Sequence, residues 1–573
     1  MSALCGMLGD VRDGLIRNVA RALHGRGVCE LALSGPGYAV YASNATTSSA
    51  HFVSDGTPKL HAATATGPQI TDFCRTVSEG RVPRESLTGS FAFVHHNPET
   101  RTWCLVRDRL GRKPLYYTIS AGSLVFASEL KALLRVVETK RLNLEGVDRY
   151  LALRYNPGAD TLIRDIHRVL PGHALILHDG KTHSVQYATF TIEPERDSKH
   201  EAALRLQDTL ANVIARTESD DVLFSSGIDS ATIVALKQRA QPVFVTLERA
   251  WQDESRLARE SAKRLRVPLQ EEPGQRLSEE SFSETIRALE EPIADPTIFP
   301  LWSVFKAART HGDAFVCGFG ADELLGGYPR YNFLRQAHGA HRLIPGSFVA
   351  GLQPVMPPNA FVRRAGQYLS DARTRPTAVM SLLEVFGQGE RDEMYTRVMK
   401  ASLPSPDGPA QYVAEHFVHS DITRNMLSLD LRAGIPDLLL LKCERLASAH
   451  GIELDFPFLD DAIVDFATHV RPHELYGVRS KALLRKAMRG ILPGRTLLSA
   501  RRDFHVPQEG RSAGVIDSFA EKIITVTRVN ESGILRWPFV EQVMRGATHN
   551  VYRRRQFWAL LIFFAWYREF IES

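Results

Sequence analysis

A run of small polar residues between an apolar segment and a helical pattern carries the clearest chemical signal in the sequence. Residues 221–237 read DVLFSSGIDSATIVALK, an apolar strand, a turn, and a helix with Ile233, Val234 and Leu236 on one face. A helix that starts directly after such a turn offers unpaired backbone N–H groups and the positive end of its dipole. The pattern predicts that residues 225–230 hold an anionic phosphate chain. The alternative is an ordinary turn with Asp229 or Ser230 as the helix N-cap.

This loop resembles the SGGxDS pyrophosphate loop of the ATP pyrophosphatases, with Ser226 in place of the middle glycine. Further stretches, in family order, resemble the asparagine synthetase and β-lactam synthetase superfamily. They are DRLGRKPLYY (108–117), FASELKALL (126–134), EEPIADPTIFP (290–300), CGFGADELLGGYPRY (317–331), GIELDFPFLDD (451–461) and SKALLRKAM (480–488). The resemblance implies an ATP-dependent ligase that activates a carboxylate as an acyl-adenylate, releases pyrophosphate and forms an amide with an amine.

The resemblance also assigns residues to the parts of this reaction. Asp229 and Asp322 would bind Mg²⁺, which prefers carboxylates together with phosphate oxygens. Lys481 would contact the phosphates and stabilise the transition state. The ATP and pyrophosphate contacts would come from Ser225, Ser226, Gly227, Asp229, Ser230 and Gly320. ATP and Mg²⁺ are therefore the expected cofactors.

The first departure from the family pattern concerns glutamine hydrolysis. Glutamine-using members begin with a cysteine whose own α-amine serves as its base, whereas Cys5 here follows Ser2, Ala3 and Leu4. The family's glutamine-gripping motifs are also absent from YAVYASNATTSSAHF and KLHAATATGPQ. We therefore expect Cys5 to be a small core residue in a strand and the glutaminase-like domain to be degenerate.

The second departure is Phe319 in CGFGADE, where asparagine synthetases carry an acidic residue and β-lactam synthetases a tyrosine. A phenyl ring accepts no proton, so Phe319 argues against ammonia and in favour of a larger apolar or peptidic amine. Glu444 in LLLLKCERLASAHGIE is the predicted alternative base. A glutamate beside Arg445 on a helix is otherwise a surface charge.

These departures favour a lasso peptide cyclase, which would join an Asp or Glu side chain of a precursor peptide to the peptide's own N-terminal amine. The resemblance then implies a leader peptidase and a leader-recognition protein as partners. The alternatives are an asparagine synthetase-like enzyme that uses ammonia or glutamine, and a β-lactam synthetase-like cyclase for small molecules. From another class, a non-catalytic scaffold that binds adenine nucleotide remains open.

Two kinds of folded region must position these residues. The first 135 or so residues contain short β-rich pieces such as SFAFVHH, and from about residue 200 helices alternate with short apolar strands. We predict an α+β glutaminase-like sandwich domain over 1–195 and an α/β ATP-pyrophosphatase domain with a doubly wound, mostly parallel sheet over 200–573. The Arg-, Pro- and Gly-rich stretch from 330 to 430 is expected to hold insertions or a mobile region.

Composition limits the remaining classes. Of 573 residues 44% are hydrophobic and 24% charged, and the net charge is +5, so the bulk is folded and no dense basic face for nucleic acid is expected. The six cysteines form no CxxC pair, which argues against a disulfide scaffold or a zinc site. The longest apolar run, 557–567, is too short for a membrane span and predicts a buried C-terminal helix. We expect a cytoplasmic protein.

Overall fold

The computed structural model of the protein describes most of the chain. The described residues are 3–9, 13–23, 29–43, 48–49, 52–60, 63–83, 87–193, 199–247, 252–340, 351, 365–369, 378–477, 479–498, 511–548 and 550–572. Parts of the stretch from 330 to 430 and of the predicted domain boundary (341–350, 352–364, 370–377 and 194–198) lie outside them.

The chain divides into two compact units, and both are discontinuous in sequence. The first comprises Met1–Asn143, Pro157–Thr191 and Arg432–Leu454, and the second Leu144–Asn156, Ile192–Leu431 and Asp455–Ser573. The predicted domains, 1–195 and 200–573, are continuous and do not include this exchange of segments. Local hydrophobic periodicity places a helix in the sequence but does not say which core the helix joins.

The first unit contains two six-stranded antiparallel sheets. The strands of these sheets and of a separate two-stranded sheet are β1 (Ala3–Leu8), β2 (Glu30–Gly35), β3 (Tyr38–Ser43), β4 (Ser48–Ser49), β5 (Phe52–Gly56), β6 (Lys59–Leu60), β7 (Ala63–Thr64), β8 (Phe91–Asn97), β9 (Thr102–Arg107), β10 (Tyr116–Ser120), β11 (Ser123–Ala127), β12 (His167–Arg168), β13 (His173–His178) and β14 (Lys181–Gln186). The sheet orders are β12-β10-β11-β1-β3-β2 and β14-β13-β9-β8-β5-β4, and β6 pairs with β7.

Alternating side chains make these two sheets a sandwich. On β8, Ala92 and Val94 enter a core shared with Leu4 and Phe126 of the other sheet. The intervening Phe91 and Phe93 enter a second core with the helix Gly67–Ser78. Because successive side chains of a strand face opposite ways, one strand serves both cores. The unit's other helices are Asp13–Ala22, Leu130–Leu133 and Leu441–Ala449.

The second unit is built on a parallel sheet. Its strands are β15 (Asp221–Leu223), β16 (Gln241–Thr246), β17 (Gln270–Pro273) and β18 (Ala314–Val316), in the order β17-β16-β15-β18. The short strand β19 (Glu453–Asp455) begins in the first unit and ends at Asp455, which belongs to the second. The paired strands β15–β16, β16–β17 and β15–β18 are parallel, as predicted. The chain moves outward from β15 to β17 and then returns to β18 on the other side of β15, so the direction of winding reverses at β15.

Helices make up most of the second unit. They are Leu144–Leu153, Lys199–Ala215, Ile228–Leu236, Gln252–Leu265, Glu279–Leu289, Ile298–Ala308, Ala321–Leu324, Pro329–Ala340, Met380–Leu383, Gln388–Met394, Arg397–Ser402, Gly408–Ala414, Ile422–Leu429, Asp461–His469, Pro472–Leu475, Ala482–Ala487, Gly494–Leu498, Arg511–Ile523, Val526–Glu531, Trp537–Gly546 and Val551–Tyr567, with a 3₁₀-helix at Pro457–Leu459 and a π-helix at Arg568–Glu572. A further π-helix, Asp430–Leu440, begins in the second unit and belongs to the first from Arg432 onward.

The prediction of a buried C-terminal helix is confirmed, because the middle of Val551–Tyr567 is buried from Gln556 to Trp566. Among the helices that the structure describes, none combines the length and the hydropathy that crossing a membrane requires.

Candidate active site

The predicted phosphate loop lies at the carboxyl end of β15. The strand ends at Leu223, Gly227 is the N-cap, and the helix begins at Ile228. The amides of its first turn have no carbonyl of their own helix to bond. Hydroxyl groups brace the turn from inside: the Ser225 N–H donates to Ser230 Oγ at 3.0 Å, and the Gly227 N–H to Ser225 Oγ at 3.1 Å. The sequence therefore folds into a small, preformed cradle.

Ser226 fits this cradle although the resembled loop has glycine there. The described non-glycine residues with positive φ do not include Ser226. The turn therefore does not need the left-handed conformation that favours glycine. The substitution leaves the backbone of the loop unstrained.

The second loop follows β18, which pairs directly with β15 through Val222 and Val316. Residues 317–320 lead into the short helix Ala321–Leu324, whose first turn carries Asp322. Because β15 and β18 are parallel neighbours, the loops after them leave the same edge of the sheet. A Cβ on Gly318 would lie 2.8 Å from Asp229 Cβ, so the two loops meet where this residue has no side chain.

Lys481 joins the two aspartates. Its Nζ pairs with Asp229 Oδ2 and lies 2.8 Å from Asp322 Oδ1, and its side chain is 6% exposed. The structure thus brings together three predicted residues that are far apart in sequence. Lys481 is the N-cap of the helix Ala482–Ala487 and has left-handed backbone angles, φ 55° and ψ 40°. Such a conformation costs a non-glycine residue about 1–2 kcal/mol and is held by its surroundings.

The backbone of Lys481 is held from two sides. Its N–H donates to the carbonyl of Gly326 at 3.2 Å. The Arg485 guanidinium donates to the carbonyls of Ser480, at 2.8 Å, and Leu497. Arg485 thereby fixes the peptide directly before Lys481. Arg485 could not be predicted from the sequence, because its role depends on a contact with the separate segment around Leu497.

Asp229, Asp322 and Lys481 form a trio of charges. Burial and the charges of this trio shift the pKa values of Asp229 and Lys481. Burial raises the pKa of the Asp229 carboxyl, Lys481 partly offsets that rise, and the nearby charge of Asp322 adds to it. For Lys481, burial alone would lower the pKa, but the two aspartates outweigh burial and raise the pKa above its ordinary value. The lysine is therefore an ammonium in a site that also concentrates negative charge.

Two glycines cradle the trio on the side of the second loop. A Cβ on Gly327 would overlap Asp322 Oδ1 and lie 2.7 Å from Lys481 Cε. Gly326 has φ of 69°, and a Cβ there would overlap the Tyr476 ring. Because these two glycines have no side chains, the backbone of LLGGYPRY can pass directly against Asp322 and Lys481. The motif could be recognised in the sequence, but a role for either glycine could not.

Glu323 is a buried carboxyl next to the trio that sequence analysis did not single out. Tyr328 Oη donates to its Oε1 at 2.5 Å. Burial and the adjacent Asp322 raise the pKa of Glu323 to about 7, although the Tyr328 hydrogen bond works against the rise. The Tyr328–Glu323 bond closes the turn that carries Asp322, Gly326 and Gly327. In the sequence, this bond is indicated only by the five-residue spacing from Glu323 to Tyr328 in DELLGGY.

Gly320 and Phe319 lie in the same loop. Gly320 has φ of 92°, and a Cβ there would overlap the Leu459 side chain, so the glycine is required by the turn itself. Its role as a nucleotide contact stays a prediction. Phe319 is half-buried and places a phenyl ring between Gly318 and Gly320 in the chain.

Glu444 belongs to the first unit, whereas Asp229, Asp322 and Lys481 belong to the second. Its helix, Leu441–Ala449, belongs to the first unit, and its buried carboxylate lies 3.8 Å from Lys113 Nζ of the same unit. Lys113 also lies 3.6 Å from Glu453. The trio of Asp229, Asp322 and Lys481 forms within the second unit without Glu444, whose catalytic role stays a prediction.

Cys5 is fully buried in the middle of β1, where it pairs with Tyr41 on one side and Ala127 on the other. Its position in a strand and in the core is as predicted. Burial, with a contribution from Cys29, raises the pKa of the Cys5 thiol well above its ordinary value. A thiol in this state is a poor nucleophile.

The donors of the second unit fit Mg²⁺ with ATP. Asp229 and Asp322 offer hard carboxylate oxygens, and Asp229 Oδ1 is buried without a hydrogen-bond partner among the described residues. Within the described part of the chain, no group of three or more His, Cys, Asp or Glu residues could hold a metal ion. Two carboxylates beside a phosphate cradle match Mg²⁺, which takes its other ligands from phosphate and water.

Two protein-family models match separate parts of the chain. The model of the asparagine synthase family matches residues 205–568. The model of the glutamine amidotransferase domain matches residues 76–188.

Individual relatives are similar over most of the chain. Asparagine synthetase (glutamine-hydrolyzing) 1 of Bacillus subtilis is 26% identical over 511 residues, which cover 85% of this chain and 78% of the relative. A putative asparagine synthetase (glutamine-hydrolyzing) of Mycobacterium bovis is 27% identical over 527 residues, with the same coverage of both chains. A solved structure of the allosteric regulatory enzyme of purine biosynthesis aligns at 12% identity over 47% of this chain and 65% of that chain, with a TM-score of 0.20.

Proposed function

The chain belongs to the asparagine synthase family, and from this premise we propose that it is an ATP-dependent ligase that converts a carboxylate into an amide through an acyl-adenylate, with release of AMP and pyrophosphate. The relatives named above are asparagine synthetases, which favours the family-level alternative of the sequence analysis over a lasso peptide cyclase. The primary candidate is therefore an asparagine synthetase-like amide ligase.

One observation carries this proposal. Lys481, Asp229 and Asp322 meet within ion-pair distance at the edge of the parallel sheet where the 225–230 loop begins. The arrangement combines a phosphate cradle, two carboxylates for a divalent cation and a buried ammonium. Adenylation of a carboxylate needs these three elements, because a carboxylate has no good leaving group of its own.

ATP supplies the leaving group, and Mg²⁺ neutralises charge on the departing pyrophosphate. The chain's own groups do the rest. The first-turn amides of residues 228–230 and the Ser225 and Ser230 hydroxyls would bind phosphate oxygens. Asp229 and Asp322 would orient the metal, and the Lys481 ammonium would stabilise negative charge as the α–β bond breaks. A buried site strengthens each of these interactions.

The amine is proposed to reach the adenylate without glutamine hydrolysis at Cys5. The Cys5 thiol is buried in a strand, and its raised pKa disfavours the thiolate. The relatives are named as glutamine-hydrolyzing enzymes, so this part of the proposal separates the chain from them. Free ammonia or another primary amine would then be the nucleophile.

A lasso peptide cyclase is the second candidate, and Phe319 favours it. Phe319 is half-buried and follows Gly318, where an added Cβ would lie 2.8 Å from Asp229 Cβ. An apolar group at this position suits a peptidic amine better than ammonia. In this case the substrate would be a precursor peptide, and a leader peptidase and a leader-recognition protein would be its partners.

Transfer of ¹⁸O tests the proposed reaction. The carboxylate substrate is labelled with ¹⁸O and incubated with the full chain, Mg²⁺ and ATP. An acyl-adenylate route moves one ¹⁸O atom into the phosphate of AMP, in step with amide formation. Formation of ADP and phosphate, or of AMP without the label, would contradict the proposal. A nucleotide-binding scaffold would bind ATP and release no pyrophosphate.

The substrate panel separates the two candidates. L-aspartate with ammonium, L-aspartate with glutamine, and a peptide with a free N-terminus and an internal Asp or Glu are compared for pyrophosphate release. The primary candidate requires turnover with aspartate and ammonium, and none above background when glutamine replaces ammonium. Loss of one water from the peptide, without turnover of free aspartate, would instead establish the cyclase.

A further inference from the structure

The Lys481 ammonium lies in the position that a cation bridging the two aspartates would take. Its Nζ pairs with Asp229 and is 2.8 Å from Asp322. The carboxylates come from separate loops and converge on this point. An ion that bridges the same two oxygens, Asp229 Oδ2 and Asp322 Oδ1, would lie where the ammonium lies. One of the two negative charges is already compensated by the chain itself.

A second cation beside the ammonium would lie next to an enclosed positive charge. The Lys481 side chain is 6% exposed, and its Cε packs against Gly327, where a Cβ would lie 2.7 Å away. Two positive charges a few ångströms apart in a buried site repel strongly. Metal and ammonium therefore compete for the aspartate pair.

An ammonium that leaves the pair needs another anion, because an unpaired buried charge is costly. The 225–230 loop carries Asp229 and is the cradle for phosphate in the proposed function. A bound nucleoside triphosphate would place anionic oxygens beside the aspartate that the ammonium gives up. Free Mg²⁺ brings no such anion.

We infer that the aspartate pair accepts a divalent cation only as a complex with a nucleoside triphosphate, and that Lys481 is the resident cation that excludes the free metal ion. When the complex binds, the Lys481 ammonium moves to the phosphate oxygens, and the metal ion takes its place at the two carboxylates. This inference rests on the proposed function and adds to it a rule of binding order, in which metal and nucleotide enter together.

Binding of Mn²⁺, measured by the EPR signal of the free ion, tests the rule on the full chain without nucleotide. Lys481→Met removes the resident charge and keeps the length of the side chain, whereas Lys481→Arg keeps the charge as the matched control. We expect Lys481→Met to bind one Mn²⁺ about tenfold or more tighter than the wild type, since a competing occupant weakens apparent affinity. The Lys481→Arg variant should bind as weakly as the wild type. Equal Mn²⁺ affinity of Lys481→Met and the wild type would overturn the inference.

Thermal melting of the wild type gives a second test that does not depend on folding of the variant. Mn²⁺ alone should leave the melting temperature unchanged, and Mn²⁺ with α,β-methylene-ATP should raise it, because a ligand that binds the native state stabilises it. An equal rise with Mn²⁺ alone would overturn the inference. If that rise is seen while ¹⁸O still reaches AMP, only the binding order is wrong. If no Mn²⁺ binds even with the nucleotide analogue, the proposed function fails as well.

Discussion

Two buried lysines in this chain each pair with two carboxylates, and the surroundings of the two trios differ. Lys481 joins Asp229 and Asp322 in the second unit, and Lys113 joins Glu444 and Glu453 in the first. The Lys113 contacts are longer, at 3.8 and 3.6 Å, and the Glu453 side chain is 52% exposed. The long Lys113–Glu453 pair, in which Glu453 is half-exposed, contributes little energy.

The difference lies in the backbone around each lysine. Lys481 has a left-handed backbone, stands beside Gly326 and Gly327, and meets aspartates from loops at one sheet edge. The residues with positive φ in the described chain do not include Lys113. Strain and close backbone approach are features of sites where geometry serves chemistry. A lysine with two carboxylates is therefore an insufficient signal by itself, and its backbone setting separates the two.

The largest expected effect comes from replacing Lys481, with the same replacement of Lys113 as the comparison. Lys481→Met should reduce carboxylate-dependent ATP–pyrophosphate exchange by about 1,000-fold, because a buried cation at a developing charge contributes on this scale. Lys113→Met should retain exchange within about tenfold and lower the free energy of unfolding by about 1–3 kcal/mol. Isotope exchange and chemical denaturation measure the two quantities. Equal losses of exchange in both variants would erase the distinction between the trios.

Glu444→Gln tests whether the Lys113 trio has a catalytic member. If Glu444 is the base for the amine, amide formation should fall by about 100-fold or more, the usual range for general base catalysis. ATP–pyrophosphate exchange should stay near the wild-type rate, because adenylation precedes proton removal. Amide yield and exchange are measured on the same preparation. Unchanged amide formation would leave Glu444 as a counter-ion of Lys113 only.

Gly327→Ala probes the glycine cradle. The added Cβ would overlap Asp322 Oδ1 and press on Lys481 Cε, so we expect activity to fall by about 10- to 100-fold through misplacement of these groups. Gly389→Ala is the matched control, since a Cβ there meets nothing within 4 Å. Steady-state pyrophosphate release is the readout. A variant as active as Gly389→Ala would mean that the close approach at Gly327 has no catalytic consequence.

The smallest expected effect is that of Cys5→Ala. Cys5 lies in the core of the first unit, and its replacement should leave ammonia-dependent amide formation unchanged and cost about 1 kcal/mol of stability. Ammonia- and glutamine-dependent rates are compared in both proteins. A selective loss of a glutamine-dependent rate would show that the first unit still hydrolyses glutamine.

Much of the site could be predicted from the sequence because its signals are local. The 225–230 loop, Asp322 and Lys481 stand in short motifs, and parallel strands deliver their carboxyl ends to one edge. Residues that act through contacts between distant segments could not be predicted. Arg485 reaches Leu497, and Gly318 and Gly327 matter only because Asp229, Asp322 and Lys481 pack against them.

About as much of the fold as of the site could be predicted from the sequence. Short β-rich pieces predicted a sandwich domain at the N-terminus, and helices alternating with short apolar strands predicted a mostly parallel sheet in the rest of the chain; the structure contains a sandwich of sheets in the first unit and parallel strand pairs in the second. The exchange of Leu144–Asn156 and Arg432–Leu454 between the units could not be seen, since a helical pattern does not state which core it faces. For the same reason the helix of Glu444 was predicted, and its place in the first unit was not.

The Mg²⁺ dependence of pyrophosphate release tests most directly whether Asp229 and Asp322 hold the metal together. Wild type, Asp229→Asn and Asp322→Asn are titrated with Mg²⁺ at saturating ATP and carboxylate substrate. Because each substitution removes one of two carboxylate ligands, the Mg²⁺ concentration for half-maximal rate should rise about tenfold or more in each variant. A Mg²⁺ dependence that matches the wild type in either variant would contradict the account.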